Sequence, residues 1–296
     1  MSIHRAALSG VVCAAALVSA ASAAEPTVYQ VKPSEADPAV AQFDEPNLIF
    51  RPREAGARTP LVLFLSGTGG RPAGGRVLLE TVAAQGYPAI SLAYNDVPAV
   101  VQVCPRDPDP ACSSDFRRMR VFGDGPSKAV SNSRAESIQA RLAALLVKLE
   151  KDHPGEGWGG YLKGGAPDWS RIVVSGLSQG AGMAAWIARQ TPVARVVLFS
   201  SPWDFTAPGP KLAPWIDGPG ATPPDRWYAA YNSRENTAAL LAESYRRLGV
   251  PADHIRVFSR DLPPDAKADG PNPYHPIGIR DEHYADDWRF LYGKPD

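Results

Sequence analysis

RIVVSGLSQGAGMAAWIAR, residues 171–189, is the stretch on which the fold turns. Its opening run, Ile172-Val173-Val174, is β-branched throughout and reads as a buried strand. Gly176-Leu177-Ser178-Gln179-Gly180 follows, a G-x-S-x-G sequence. Beyond it Ala181, Met183, Ala184, Ala185, Trp186, Ile187 and Ala188 read as a helix buried on several sides. A strand, a tight turn and a helix in that order form the context of a nucleophile elbow. A serine on so cramped a bend needs neighbours two before and two after that carry almost no side chain. The helix beyond it points its positive N-terminal end at a developing negative charge. The plainer alternative is a serine in a glycine-rich β–α loop; the flanking strand and helix favour the elbow.

Working outward, β–α alternation continues on both sides. Leu61–Leu65 (LVLFL) is a continuous apolar run, as expected of a strand buried on both faces, and it ends at Ser66-Gly67-Thr68-Gly69-Gly70. A helix is expected over 76–85, stopped by Gly86, and a strand over 88–94 (PAISLAY). Residues 133–151 show Ile138, Leu142, Leu145, Leu146 and Leu149 at helical spacing. After the elbow, strands are expected at 194–200, 226–231 and 255–259, with helices at 237–248 and 284–292. Such alternation implies parallel strands and right-handed crossovers. Residues 25–58 offer few cues beyond a strand at Asn47–Arg51, and 95–124 and 261–279 read as long loops. Residues 201–224 are rich in proline and glycine and sit where a fold with such an elbow often inserts a cap or a substrate-binding loop. One α/β domain over 25–296 is expected, with no internal repeat.

Composition narrows the class of function. Lys+Arg and Asp+Glu both number 31, so there is no net basic field of the kind that binds nucleic acid. At the N-terminus, His4 and Arg5 precede an apolar core at 11–18 and small residues at 19–24. Residues 1–24 therefore read as a secretory signal peptide, and a secreted or periplasmic location is expected. The apolar run is too short to span a bilayer, so no integral membrane segment is expected in the mature chain. With the signal removed, only Cys104 and Cys112 remain, and an even pair in an oxidising compartment points to a disulfide. Neither a metal nor a cofactor is expected.

The motif Gly176-Leu177-Ser178-Gln179-Gly180, the loop Leu65-Ser66-Gly67-Thr68-Gly69-Gly70 and the element order after the elbow resemble the α/β-hydrolase superfamily. The resemblance covers the chain from about Leu61 onward. In finer detail the GTGG loop, SLAYN at 91–95, the Ser-Gln-Gly elbow and LFSSPWD at 198–204 are similar to a branch of secreted bacterial serine hydrolases. It implies an α/β-hydrolase fold, a mostly parallel central sheet with helices on both faces. It also implies a Ser-acid-His triad in that chain order.

Three histidines follow Ser178. His254 precedes the last strand, at the wrong end for the active face. His275 and His283 both follow that strand; His283, at the mouth of the closing helix, looks more like the family pattern and is the expected base, with His275 the alternative. For the acid, Glu235 takes the place after the strand that follows the cap region, where aspartate is commoner. Asp204 and Asp261 are its rivals, and a carboxylate merely opposing a helix dipole is the plain reading of Glu235. By the same resemblance the oxyanion donors are the backbone amides of Gln179 and Thr68, with Gly67 or Gly69 as alternatives to Thr68.

The expected activity is hydrolysis of a small-molecule or polymeric carboxylic ester through an acyl-enzyme on Ser178. An amidase or peptidase of the same fold and a catalytically inactive binding protein are the alternatives. A dinucleotide-binding reading fails because Gly67-Thr68-Gly69-Gly70-Arg71-Pro72 lacks the third glycine of that fingerprint. Trp203, Trp215, Trp227 and Tyr228 are candidates to line an apolar pocket, or simply core.

Overall fold

The computed structural model describes residues 25–206, 211–218, 220–264 and 271–295. The expected signal peptide lies outside the described residues. Eight strands form one sheet: β1 (Thr27–Val31), β2 (Asn47–Arg51), β3 (Leu61–Leu65), β4 (Ala89–Leu92), β5 (Ile172–Leu177), β6 (Arg195–Phe199), β7 (Trp227–Asn232) and β8 (Ile255–Phe258). Their spatial order is β1-β2-β4-β3-β5-β6-β7-β8. The pairs β1–β2 and β2–β4 are antiparallel, and every other neighbouring pair is parallel.

Alternation along each strand sends side chains to two cores, as the pleat requires. Leu61, Leu63 and Leu65 of β3, with Ile172 and Val174 of β5, face one layer; Val62, Phe64 and Val173 face the other. The helices α1 (Arg76–Ala84), α2 (Cys112–Phe122), α3 (Ile138–Asp152), α4 (Gln179–Gln190), α5 (Ala238–Leu248) and α6 (Ala285–Tyr292) cover both faces. The first layer takes residues of α2, α3, α4 and α5, including Phe116, Leu142, Ala184 and Leu241. The second takes α1 and α6 through Leu78, Leu79, Trp288 and Leu291. The strands therefore read as unbroken apolar runs because both their faces are covered.

Three expectations need correction. Residues 95–124 are not a plain loop: they contain α2 and a short helix, Val100–Val103. The core-facing side of α2 carries Arg117 and Arg120 beside Phe116 and Val121, so charge interrupts its apolar stripe. The N-terminal segment also supplies β1, an edge strand whose mostly unburied pattern leaves little hydrophobic signal. Helix α3 begins five residues later than expected, where the Ser137 hydroxyl accepts from the Ala140 amide and caps it. Within 201–224, the described residues hold a two-residue ladder, Phe205–Thr206 with Lys211–Leu212, and short 3-10 turns. Cys104 and Cys112 form a disulfide that ties the residue opening α2 to the short turn before it.

Candidate active site

Ser178 stands between β5 and α4 with φ 77° and ψ −112°, a left-handed region that a residue with a side chain enters only at a cost. Its amide donates to the Phe199 carbonyl at 3.0 Å, which fixes the bend against β6. The two motif glycines are explained by contact. A Cβ on Gly180 would lie 2.0 Å from the Leu65 carbonyl oxygen, and one on Gly176 would lie 2.5 Å from the backbone of Gly180. Elbow and β3 loop approach so closely that a methyl group does not fit. A Cβ on Gly67 would come 3.0 Å from that of Ser178, so the glycine loop passes directly beside the serine.

A narrow crevice is lined by Ser178, Gln179 and Thr68, together with Trp203, Asp204 and Arg117. Gln179 is the first residue of α4, where a backbone amide has no intrahelical acceptor. The two expected oxyanion residues are thus brought to the serine.

Glu235 lies just past β7 and is fully buried in its side chain. One carboxylate oxygen accepts from the Ser200 hydroxyl at 2.6 Å and from the Asn232 amide at 2.9 Å. The other lies 2.6 Å from Nδ1 of His275. Ser200 directly follows Phe199, the residue that accepts the Ser178 amide. A run of hydrogen bonds therefore joins Ser178 to β6, β6 to Glu235 and Glu235 to His275, all at the carboxyl end of the sheet.

His283 differs from the expectation. Its Nδ1 contacts Asp281, two residues away, at 2.7 Å, and its side chain is 68% exposed. It lines a separate surface pocket with Arg260, Asp261 and Leu262, and none of the crevice residues lines that pocket. The short Asp281–Tyr284 turn, capped by Asp281, holds it there. Glu235 pairs with His275 and not with His283.

The rival acids are engaged elsewhere. Asp204 receives Nε and Nη2 of buried Arg117 at 2.7 and 2.6 Å and the half-buried Trp215 indole at 2.9 Å. Asp261 is exposed and ion-paired with Arg234. His254 bonds the Trp227 carbonyl at the starting end of β7 and stacks on Tyr228, away from the serine's edge of the sheet.

Sequence reasoning missed Arg117 and Ser200. Arg117 also donates to the Gln179 carbonyl at 3.4 Å, so it braces the first turn of α4. Gly182 makes room for it, because a Cβ there would lie 2.2 Å from the guanidinium. A glycine one turn after the elbow was the available signal. Among the described residues no cluster of histidine, cysteine and carboxylate side chains could hold a metal ion. No described helix is long and apolar enough to cross a membrane.

No family model matches the chain, and no curated protein sequence matches it. Among solved structures, a hormone-sensitive lipase from a metagenome library is 16% identical with a TM-score of 0.45, over 83% of this chain and 80% of that one. A bacterial esterase of the hormone-sensitive lipase family gives 16% and 0.45, over 91% and 85%. Thermogutta terrifontis esterase 2 phosphoramylated by tabun gives 16% and 0.45, over 90% and 96%. The strand order, the single reversed strand β2 next to one edge and the strained serine between the fifth strand and its helix make this the α/β-hydrolase fold.

Proposed function

We propose that the chain is a secreted serine hydrolase that cleaves carboxylic esters through an acyl-enzyme on Ser178, with His275 as base and Glu235 as the acid that orients it. The observation that carries this reading is the contact between buried Glu235 and half-buried His275, at the carboxyl end of the sheet where Ser178 occupies a left-handed elbow. The Glu235 carboxylate can only accept, so His275 carries its proton on Nδ1 and leaves Nε2 free to take one. Nε2 removes the Ser178 hydroxyl proton as Oγ attacks the ester carbonyl. Charge builds on the carbonyl oxygen, and the amides of Gln179 and Thr68 receive it. Collapse returns the proton to the leaving alcohol; water then repeats the sequence and releases the acid. The Cys104–Cys112 bond fits an oxidising compartment, which supports export.

A fluorophosphonate probe tests the reading. The folded protein is expected to be labelled at Ser178, with labelling lost in Ser178→Ala and in His275→Ala and retained in His283→Ala. Absence of label on Ser178 in the folded protein would remove the proposal. Hydrolysis of p-nitrophenyl esters separates turnover from binding alone.

A further inference from the structure

The glycine loop has a second side. Ser66, Gly69, Gly70 and Arg71 line a cavity of about 310 Å³ together with Tyr94 and Asp96, and none of these residues lines the crevice at Ser178. Asp96 is almost fully buried. Its Oδ2 accepts from the Gly70 amide at 3.0 Å, the same amide that closes a turn onto the Gly67 carbonyl at 2.8 Å. Gly69, within that turn, has φ +66°. Tyr94 steadies the start of the loop by donating to the Ser66 carbonyl at 2.7 Å.

Resting on the serine-hydrolase reading, we propose that Asp96 is a positioning residue for the oxyanion site: its carboxylate holds the Gly69–Gly70 side of the loop backward and so keeps the Thr68 amide aimed at Ser178. An oxyanion donor acts only if its orientation is fixed before charge develops. A buried carboxylate behind a four-residue turn supplies that fixation. It also makes the arrangement proton-dependent. Burial pushes the Asp96 carboxyl up to about 6, against the opposing pull of the Gly70 and Gly69 amides, its own amide and the Arg120 guanidinium. The charged groups around it are Arg120 from α2, held by the Val97 carbonyl, and the Arg71–Glu45 pair across the cavity; Tyr94 is the other titratable neighbour. A neutral carboxylic acid must donate its proton somewhere and grips the loop less well.

The test compares wild type with Asp96→Asn on a p-nitrophenyl ester across pH 4.5 to 8. In the variant kcat is expected to fall roughly ten-fold at pH 8, with KM within about two-fold, because a neutral amide oxygen holds the Gly70 amide less firmly than a carboxylate and the difference matters when charge develops. Wild-type kcat/KM is expected to drop roughly ten-fold further on the acid side than titration of one base explains, and the variant to follow the single base. A variant with wild-type kcat and the same acid limb, or one whose only change is a lower melting temperature, overturns the inference. Should the variant not fold, the wild-type profile decides: a single-proton acid limb refutes the role of Asp96. A wild type inert to ester and to fluorophosphonate refutes the hydrolase reading itself, whereas an active wild type beside an unaltered variant refutes only this inference.

Discussion

Replacing Glu235 by glutamine isolates the orientation of His275 from almost everything else. The Asn232 amide can only donate, so the new side-chain oxygen must face it, where Oε1 of the glutamate now sits at 2.9 Å. The Ser200 hydroxyl, now donating to that oxygen at 2.6 Å, keeps its acceptor too. The glutamine NH2 is left facing Nδ1 of His275 across 2.6 Å. Nδ1 must then accept, which moves the ring proton to Nε2, the nitrogen required to be empty. Flipping the amide would set two donors against each other in the interior and cost about 1–3 kcal/mol. The wrong tautomer is therefore favoured, and the expected loss is about 10⁴-fold in kcat, or about 5.4 kcal/mol of barrier. Stability should change by less than about 1 kcal/mol, since two of the three contacts persist. Ester turnover and urea unfolding on the same preparation check both halves. Asp281→Asn, which alters only the partner of His283, should leave kcat within about two-fold. Retention of more than a tenth of activity in Glu235→Gln, or collapse of activity in Asp281→Asn, would refute the reasoning.

Gly180→Ala forces a methyl to within 2.0 Å of the Leu65 carbonyl, a backbone atom that cannot rotate away, so a loss above about 3 kcal/mol is expected in chemical unfolding. Arg117→Met strands Asp204 in the interior and should cost about 3–5 kcal/mol, much of it recovered in Arg117→Met with Asp204→Leu; a double-mutant cycle measures the difference. Opening the eight-residue separation of the disulfide with Cys104→Ser and Cys112→Ser should cost about 2.5 kcal/mol by loop entropy, read from the thermal midpoint without reductant. The raised carboxyl of Asp96 binds its proton in the folded chain before the unfolded one does. Its contribution to stability is therefore full below pH 3.8 and fades as pH climbs to about 6, by up to about 3 kcal/mol. Asp96→Asn should remove that slope from melting temperatures taken across pH 3.5 to 6.5.

The central strands and the elbow were legible because their residues answer to one demand each. Ile172–Leu177 is apolar because both faces of β5 are covered, and Gly176 and Gly180 are glycine because Leu65 lies against them. The place of Glu235 could be read from the strand before it, which the fold keeps regardless of side-chain contacts. Which histidine meets Glu235 could not be read, since His275 and His283 both follow β8 and each has a carboxylate within 2.7 Å; only the course of the chain between them decides it. Helix α2 escaped notice for a different reason. Its buried face is built partly from guanidinium groups, whose partners, Asp204 and the Val97 carbonyl, lie 87 and 23 positions away in sequence. Periodicity of apolar residues is blind to a buried face held by guanidinium hydrogen bonds.

The closing helix reaches further than its position suggests. The phenol of Tyr292 meets the Ser175 hydroxyl at 2.6 Å, in the middle of β5, while the Tyr292 carbonyl accepts from Tyr87. Trp288 and Leu291 beside it are wholly enclosed. The underside of the strand that leads to Ser178 is thus finished by a residue 117 positions further along the chain. A nascent chain halted before Trp288 holds every residue of the proposed triad, yet its central strand is open on one flank. Competence should therefore arrive all at once, when the segment from Trp288 to Tyr292 has been made and has packed under β5.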